Sequence, residues 1–234
     1  MPAAPGVCDT HANLFNFRHP LPNLTKSFKE RRKIKIVAIG SSSTAGEADV
    51  LPYPSRLEML LRDRFHDRMI DVLNRGIGGQ EAPCELLRFE TDVVAEAPAL
   101  VIWQVGTNAV FRNDEFRFDD VVAAIAAGLR RLAALPIDVL IMDSQYTPAV
   151  VDGAKLKLSE ELVARIANAA DEAGVNVFRR FALMREWASH QVPMEELVRE
   201  GDQLRLHMSD WATRCATASL FRSIRRAVEA AGAT

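Results

Sequence analysis

The sequence is poor in cysteine, has no long apolar run and carries almost no net charge, and each absence excludes a class of protein. Its 3 cysteines are not spaced like the ligands of a structural metal site. No apolar stretch approaches the length of a membrane-spanning helix. The formal net charge is -2, so the surface is not polycationic and nucleic acid is not an expected partner. The 234 residues suffice for one large domain with a full hydrophobic core.

The three cysteines leave two pairing states open. Cys84 falls in a predicted helix and is expected to be a buried thiol. Cys8 lies in the N-terminal arm and Cys215 in the last predicted helix. A disulfide between these two would pin the arm to the body and imply an oxidising compartment such as the periplasm. Three free thiols would instead fit a soluble cytoplasmic protein, and both states are consistent with the sequence.

Proline content and periodicity divide the chain into an arm and a body. Residues 1–33 contain several prolines and little hydrophobic periodicity, so we expect an irregular N-terminal arm packed on the domain. Residues 34–234 alternate between strand-like and helix-like patterns and are expected to form a single domain. The sequence contains no internal repeat and no low-complexity tract.

Short segments rich in Val and Ile have the apolar character of buried parallel strands. They are Ile34–Ile39, Ile70–Asn74, Ala99–Val105, Ile137–Met142 and Val175–Phe178. The segments between them repeat apolar residues at helical spacing, and a last helix is expected from Asp210 to about Ala231. This alternation predicts an α/β fold, a three-layer α/β/α sandwich around a five-stranded parallel sheet. Right-handed crossovers would bring the C-terminal ends of the strands to one edge, where such folds place their sites.

Three small-residue loops follow three successive predicted strands. They are Gly40–Gly46 (GSSSTAG), Asn74–Gln80 (NRGIGGQ) and Gly106–Asn108 (GTN). A serine at a strand end can expose its hydroxyl, so Ser42 is the candidate nucleophile. The backbone N–H groups of Ser42 and Gly79 and the side-chain amide of Asn108 would form an oxyanion hole for acyl transfer. Each loop alone is typical of an ordinary turn, and only their convergence on one edge indicates chemistry.

A serine nucleophile needs a base, and His207 is the histidine best placed to supply it. It lies in a loop just before the last helix, and this loop can fold over the C-terminal edge of the sheet. Surface or packing roles explain the other histidines, which fall in the arm or at helix ends. These are His11, His19, His66 and His190.

With these four segments in order, the chain resembles the SGNH hydrolase family, also called the GDSL-type esterases. The family has Gly-Asp-Ser after the first strand, a glycine after the second, Gly-x-Asn after the third and Asp-x-x-His before the last helix. Gly40-Ser41-Ser42, Gly79, Gly106-Thr107-Asn108 and His207 stand at the corresponding places. The match covers roughly residues 34–231, and four degenerate motifs in register are specific. The resemblance implies the flavodoxin-like fold of the SGNH hydrolases.

Two positions depart from the family pattern. Ser41 replaces the aspartate of the first motif, a residue that mainly organises the loop. Leu204 stands three residues before His207, where the acid of the triad belongs. Asp202, five residues before His207, is the carboxylate we expect to act, and Asp210 is a second candidate. A Ser–His dyad with no carboxylate is the third possibility.

The resemblance implies a serine esterase that uses neither a metal nor an organic cofactor. The expected reaction is hydrolysis of small acyl esters, above all acetyl esters, through an acyl-enzyme on Ser42, with a carbohydrate or cell-envelope substrate. Tyr146 follows the fourth predicted strand and is a candidate lining residue of the substrate pocket. One alternative is a catalytically impaired relative that binds glycans or a partner protein, motivated by the displaced aspartate. The other is an acyltransferase that passes the acyl group to a sugar hydroxyl.

Overall fold

The N-terminal region contains a helix that the sequence analysis did not expect. The computed structural model describes residues 8, 11, 14, 16–47, 49–190 and 192–232, so the rest of the predicted arm lies outside the described residues. Helix α1 (Pro22–Glu30) begins with a proline at its first position, where the missing N–H has no intrahelical partner to lose. Leu24 and Phe28, four residues apart, bury the same face of this helix. The expectation of an irregular chain is wrong for this stretch, because the helical spacing of its apolar residues outweighs the preceding prolines.

All five predicted strands are confirmed, with ends shifted by at most two residues. The observed strands are β1 (Lys33–Gly40), β2 (Met69–Gly76), β3 (Leu100–Gln104), β4 (Asp138–Met142) and β5 (Asn176–Phe178). Every pair of neighbours is parallel, and the strand order is β2-β1-β3-β4-β5. This is the flavodoxin-like order, in which the chain reverses direction across the sheet between β1 and β3. The crevice at the C-terminal ends of these two strands is where such folds bind ligands.

Helices cover both faces of the sheet, as the three-layer prediction requires. After α1 they are α2 (Ser42–Ala45), α3 (Tyr53–Arg64), α4 (Ala82–Leu87), α5 (Phe89–Asp92), α6 (Thr107–Phe111), α7 (Phe118–Ala133), α8 (Pro148–Val151), α9 (Lys155–Glu172), α10 (Arg180–Ser189), α11 (Met194–Leu197) and α12 (Asp210–Ala230). A 3-10 turn, Val94–Glu96, lies between α5 and β3.

The side chains of each strand alternate between two hydrophobic cores. In β1, Ile36 and Ala38 pack with residues of α1, α3, α10 and α12. Val37 and Ile39 point the other way and pack with residues of α7 and α9. Because both faces of the sheet are covered, every residue of β3 and β4 is buried, which is why these strands were recognisable as short apolar runs.

A disulfide joins Cys8 to Cys215, which resolves the two pairing states left open by the sequence. Cys215 is buried in α12, so the bridge fixes a residue of the N-terminal region to the body. Cys84 is free, and it is half-buried in α4 rather than fully buried as expected. Among the described residues, no helix combines the length and apolar character needed to cross a membrane.

Candidate active site

Ser42 is the only serine of the first loop whose hydroxyl is not engaged by a described residue. The hydroxyl and the backbone N–H of Ser41 both donate to Oε1 of Gln104, each at 3.1 Å. The hydroxyl of Ser43 donates to Oε1 of Gln145 at 2.9 Å. Ser42, the first residue of α2, makes no side-chain hydrogen bond to any described residue, and it lines a cavity. Its neighbours therefore hold the loop while its own oxygen stays available.

The first and second loops lie directly against each other at the ends of β1 and β2. Position 76 requires glycine, because a Cβ there would collide with the backbone nitrogen of Ala45 in α2. The N–H of Ile77 donates to the carbonyl of Gly40 at 2.9 Å. Arg88, between α4 and α5, holds the same two loops together, since it donates to the carbonyls of Gly40 at 3.2 Å and Arg75 at 2.6 Å.

The second loop, which holds Gly79, borders Ser42 and is bonded to the third loop, which holds Asn108. Gly79 has a φ of +79°, a backbone conformation that glycine adopts without strain. A Cβ added to the preceding Gly78 would lie 3.9 Å from Cβ of Ser42, so the second loop borders the serine. Nδ2 of Asn108 donates to the carbonyl of Gln80 at 2.8 Å, which fixes the third loop on the second. One of the two amide hydrogens of Asn108 remains for a ligand.

A buried carboxylate, Glu81, organises the third loop. Its Oε1 accepts the N–H groups of Ala82 at 3.0 Å and Gly106 at 2.9 Å, and its Oε2 accepts the N–H of Ala109 at 2.9 Å. Burial raises the pKa of Glu81, while these N–H donors oppose the shift. The orientation of Asn108 thus depends on a residue at the start of α4 that no motif pointed to.

Asp202 reaches His207 although five positions separate them in the sequence. Oδ2 of Asp202 lies 3.1 Å from Nδ1 of His207 and also accepts the N–H groups of Leu206 at 2.9 Å and His207 at 2.7 Å. The N–H of Arg205 donates to the carbonyl of Asp202 at 2.9 Å, closing a turn. Arg205 has a φ of +50°, so the extra residues form a compact turn that folds the aspartate back under the imidazole.

The charge of Asp202 is stabilised within this turn. Burial acts to raise the pKa of Asp202, but the N–H groups of His207 and Leu206 and the nearby imidazole outweigh it, so the pKa is lowered. Asp210, the other candidate acid, is the first residue of α12 and is exposed, and it pairs with Arg56 instead. The loop with His207 is anchored by the N–H of Arg199, which donates to the carbonyl of His207 at 2.9 Å.

A second carboxylate faces the other nitrogen of His207. Oε1 of Glu47 lies 3.5 Å from Nε2 of His207. Ser42, Glu47 and His207 line one cavity, whose walls also include Tyr53 and Arg180. Sequence reasoning missed Glu47 and Arg180, because neither belongs to a motif.

Tyr146 is not among the residues that line this cavity. Its ring packs edge-on against Phe181 with 5.1 Å between ring centroids, and its N–H points to Sδ of Met184 at 3.5 Å. The side chain is held there because α10 follows β5 closely and covers the end of β4. Ser42, Gly79, Asn108, Asp202 and His207 are therefore brought to one edge of the sheet, whereas Tyr146 lies apart.

Comparison with known proteins gives one family and one fold. The sequence model of the non-GDSL lipase-like family matches residues 7–230. Axe2, an acetylxylan esterase from Geobacillus stearothermophilus, superposes with a TM-score of 0.70 at 20% identity, over 82% of this chain and 94% of Axe2. LAE5, an alpha/beta hydrolase enzyme from the metagenome of Lake Arreo in Spain, superposes with a TM-score of 0.66 at 18% identity, over 81% of this chain and 94% of LAE5. At these identities the likeness concerns the fold.

A curated sequence relative matches a smaller part of the chain. The uncharacterized lipoprotein YqeF of Bacillus subtilis (strain 168) is 37% identical over 75 residues. This stretch amounts to 31% of the present chain and 31% of YqeF, so the chain matches about a third of that relative's length.

Proposed function

The chain belongs to the non-GDSL lipase-like family, and we propose that it is a serine esterase of the SGNH type that hydrolyses acetyl esters of carbohydrates. One arrangement carries the proposal: the unengaged hydroxyl of Ser42 lines the same cavity as His207, whose Nδ1 lies 3.1 Å from Asp202. The family is distinct from the GDSL-type esterases that the sequence resembles. Its name is consistent with Ser41, which stands where the GDSL motif has aspartate.

In the proposed reaction, Nε2 of His207 takes the proton of Ser42 while Oγ attacks the ester carbonyl. Asp202 accepts the Nδ1–H of the imidazole, holding the required tautomer and stabilising the imidazolium. The N–H groups of Ser42 and Gly79 and the amide of Asn108 donate to the oxyanion. His207 then protonates the departing alcohol, and a water activated by the same imidazole releases the acid from Ser42. Glu47 lies on the Nε2 side of His207. There the departing alcohol would either displace the Glu47 carboxylate from the imidazole or donate a hydrogen bond to it.

The substrate part of the proposal is supported by the solved relatives. Axe2 is named an acetylxylan esterase, and its solved structures include catalytic mutants in which a serine, a histidine or an aspartate is replaced by alanine. These are the residue types of Ser42, His207 and Asp202. The small cavity beside Ser42 favours a short acyl group over a long one.

The rival functions differ in what they predict for Ser42. A non-catalytic glycan- or protein-binding domain was suggested by the missing aspartate three residues before His207. The contact of Asp202 with His207 removes that reason and favours the esterase. An acyltransferase would use the same residues, so it is distinguished by experiment: adding a sugar acceptor would lower the release of free acid.

The direct test is hydrolysis of p-nitrophenyl acetate by the wild type, Ser42→Ala and Ser43→Ala. We expect Ser42→Ala to lose at least about 10³-fold in kcat. Ser43→Ala is the matched control, because it removes the adjacent hydroxyl, which donates to Gln145, and should keep most of the activity. An organophosphonate should add covalently to the wild type and to Ser43→Ala. Equal rates for the wild type and Ser42→Ala would overturn the proposal.

We further propose that the protein works in an oxidising, extracytoplasmic compartment. The Cys8–Cys215 disulfide supports this, because such bonds persist mainly outside the reducing cytosol. The partial likeness to a lipoprotein points the same way. Fractionation of the native host, followed by mass analysis of the unreduced protein, tests it; a cytosolic, fully reduced protein would overturn it.

A further inference from the structure

The cavity beside Ser42 and His207 contains polar groups that the proposed reaction does not use. Tyr53 and Arg180 line it and are only 4% and 2% exposed. The hydroxyl of Tyr53 is buried and makes no hydrogen bond to a described residue. The neighbouring hydroxyl of Thr44 donates to Gln104 at 3.2 Å instead. A buried phenol without a partner loses the free energy of a hydrogen bond, which a ligand in the cavity would restore.

Arg180 is a buried cation without a direct ion pair. Its Nε donates to the carbonyl of Asp143 at 3.2 Å and its Nη2 to Oγ1 of Thr107 at 3.4 Å, while Nη1 has no described hydrogen bond. No carboxylate oxygen of the described residues lies within 4.0 Å of its guanidinium. Buried charges are normally paired, because desolvation without a partner is costly.

The acidic groups around Arg180 compensate its charge only in part. Burial lowers the pKa of Arg180 to about 10, so the guanidinium remains protonated at neutral pH. Burial raises the pKa of Asp143 to about 7 and also raises the pKa of Glu81. At neutral pH the carboxyl group of Asp143 is therefore only partly ionised and offers less negative charge than an exposed aspartate would. Glu47 and His207 belong to the more exposed part of the cavity wall, with side chains 35% and 15% exposed.

The size of the cavity limits what can enter. Its volume is about 30 Å³, which accommodates roughly two or three water-sized groups. The remaining walls are largely apolar and include Met142, Ala216 and Leu220. We propose that this cavity is a binding site for a short carboxylate, whose oxygens accept hydrogen bonds from Nη1 of Arg180 and from the hydroxyl of Tyr53. Burial raises the pKa of Tyr53, against the smaller effect of Thr44, so the phenol stays protonated and can donate.

Two sources supply a carboxylate at this place. One is the free acid released by ester hydrolysis, which would make the cavity a product site. The other is the distal carboxylate of a dicarboxylic acyl group attached to the substrate. The choice between the two sources rests on the proposed esterase function, whereas carboxylate binding itself does not.

Binding is tested first, by calorimetric titration of Ser42→Ala with sodium acetate and, separately, sodium succinate at constant ionic strength set with chloride. We expect at least one of them to bind with a Kd on the order of 1 mM, and acetamide to bind at least about 10-fold more weakly than acetate. Tyr53→Phe, added to Ser42→Ala, should weaken carboxylate binding about 10-fold. The chain has 2 tyrosines, so Tyr146→Phe is the matched control and should bind like its parent. Arg180→Lys should also weaken carboxylate binding. If this variant does not fold, the comparison of Tyr53→Phe with Tyr146→Phe still tests the proposed site.

The sources are separated by kinetics on the wild type. A product site predicts competitive inhibition of p-nitrophenyl acetate hydrolysis by acetate, relieved in Tyr53→Phe. A dicarboxylic acyl group predicts a higher kcat/KM for p-nitrophenyl hydrogen succinate than for p-nitrophenyl butyrate, with the preference lost in Tyr53→Phe. Absence of p-nitrophenyl acetate hydrolysis would overturn the esterase but leave the binding result standing. Failure of acetate and succinate to bind better than chloride, or equal binding by Tyr53→Phe and Tyr146→Phe, would overturn the carboxylate site.

Discussion

The N–H of Phe181 donates to Oδ1 of Asp143 at 2.9 Å, while Oδ2 of the same carboxyl group is buried without a described partner. Asp143 lies one residue beyond β4 and beside Arg180. Only one of its two carboxyl oxygens therefore has a described hydrogen-bond partner. Burial therefore dominates and raises the pKa of Asp143 to about 7, although the N–H of Phe181 and the charge of Arg180 oppose it.

This raised pKa predicts a specific pH dependence of stability. The folded protein keeps the Asp143 proton up to a pH of about 7, whereas an unfolded aspartate releases it near pH 3.9, roughly. Between these values the folded state binds more protons, so the free energy of unfolding should fall as pH rises and level off above about 7. In Asp143→Asn, this fall in the free energy of unfolding should be smaller by about 2–4 kcal/mol. Urea unfolding of both proteins at several pH values measures it.

The control for this experiment is Asp152→Asn, because Asp152 is exposed and pairs only with Arg205 in the described structure. Its stability curve should run parallel to that of the wild type. Asp202 does not interfere, because its lowered pKa confines its contribution to a pH below about 4. A curve for Asp143→Asn parallel to that of the wild type would show that the carboxyl group is not protonated in the folded protein.

Glu81→Gln should reduce catalysis through the orientation of Asn108. An amide at this position replaces one acceptor oxygen by a donor, so the N–H of Gly106 or Ala109 loses its partner. We expect a loss of about 2–3 kcal/mol in unfolding free energy and of about 10–100-fold in kcat, with KM changed little. Glu90→Gln, on the exposed surface next to Arg131, is the control for both measurements. A stability loss without any kcat loss would mean that Glu81 supports the fold but not the oxyanion donors.

Removal of the disulfide should destabilise the protein. The bond closes a loop with a sequence separation of 207 residues, and such constraints typically stabilise by about 2–4 kcal/mol. Cys8→Ser and Cys215→Ser should each lower the free energy of unfolding by that amount, and dithiothreitol should do the same to the wild type. Cys84→Ser should change neither the stability nor the response to dithiothreitol. A wild type that gains no mass on reduction would contradict the bond.

The fold was predictable because its signals are local. The central strands β3 and β4 are short, mostly apolar runs buried on both faces, and the segments between strands repeat apolar residues at helical spacing. Helix α1 was missed because its two core residues, Leu24 and Phe28, are too few to stand out beside Pro20, Pro22 and the charged residues nearby. The order of the loops after β1, β2 and β3 likewise predicted that Ser42, Gly79 and Asn108 lie at one edge of the sheet.

The rest of the candidate site depends on contacts between distant segments. Glu81, Arg88 and Gln104 hold the loops through hydrogen bonds to backbone groups, and no spacing in the sequence marks such residues. Arg180 and Tyr53 meet in the cavity although 127 positions separate their numbers in the chain. Tyr146 shows the reverse: its place after β4 suggested the site, but packing against Phe181 holds its ring elsewhere.

Asp202 and Asp210 provide the sharpest test of the proposed triad, because they flank His207 and differ in what they touch. Asp202→Asn removes the acceptor at Nδ1 of His207 and favours the wrong tautomer, so kcat for p-nitrophenyl acetate should fall about 10²–10⁴-fold. Asp210→Asn breaks only the pair with Arg56 at the exposed start of α12 and should keep kcat within a few-fold of the wild type. Circular dichroism and thermal unfolding confirm that both variants are folded.

Each remaining outcome of this comparison points to a different arrangement. Loss of activity in Asp210→Asn alone would identify that carboxylate as the acid and contradict the contact at 3.1 Å as the functional one. Full activity in both variants would mean that Ser42 and His207 act as a dyad. Because Asp202 also accepts the N–H groups of Leu206 and His207, Asp202→Asn should slightly lower the free energy of unfolding whichever carboxylate acts as the acid. Only a fall in kcat at unchanged KM therefore reports on the imidazole.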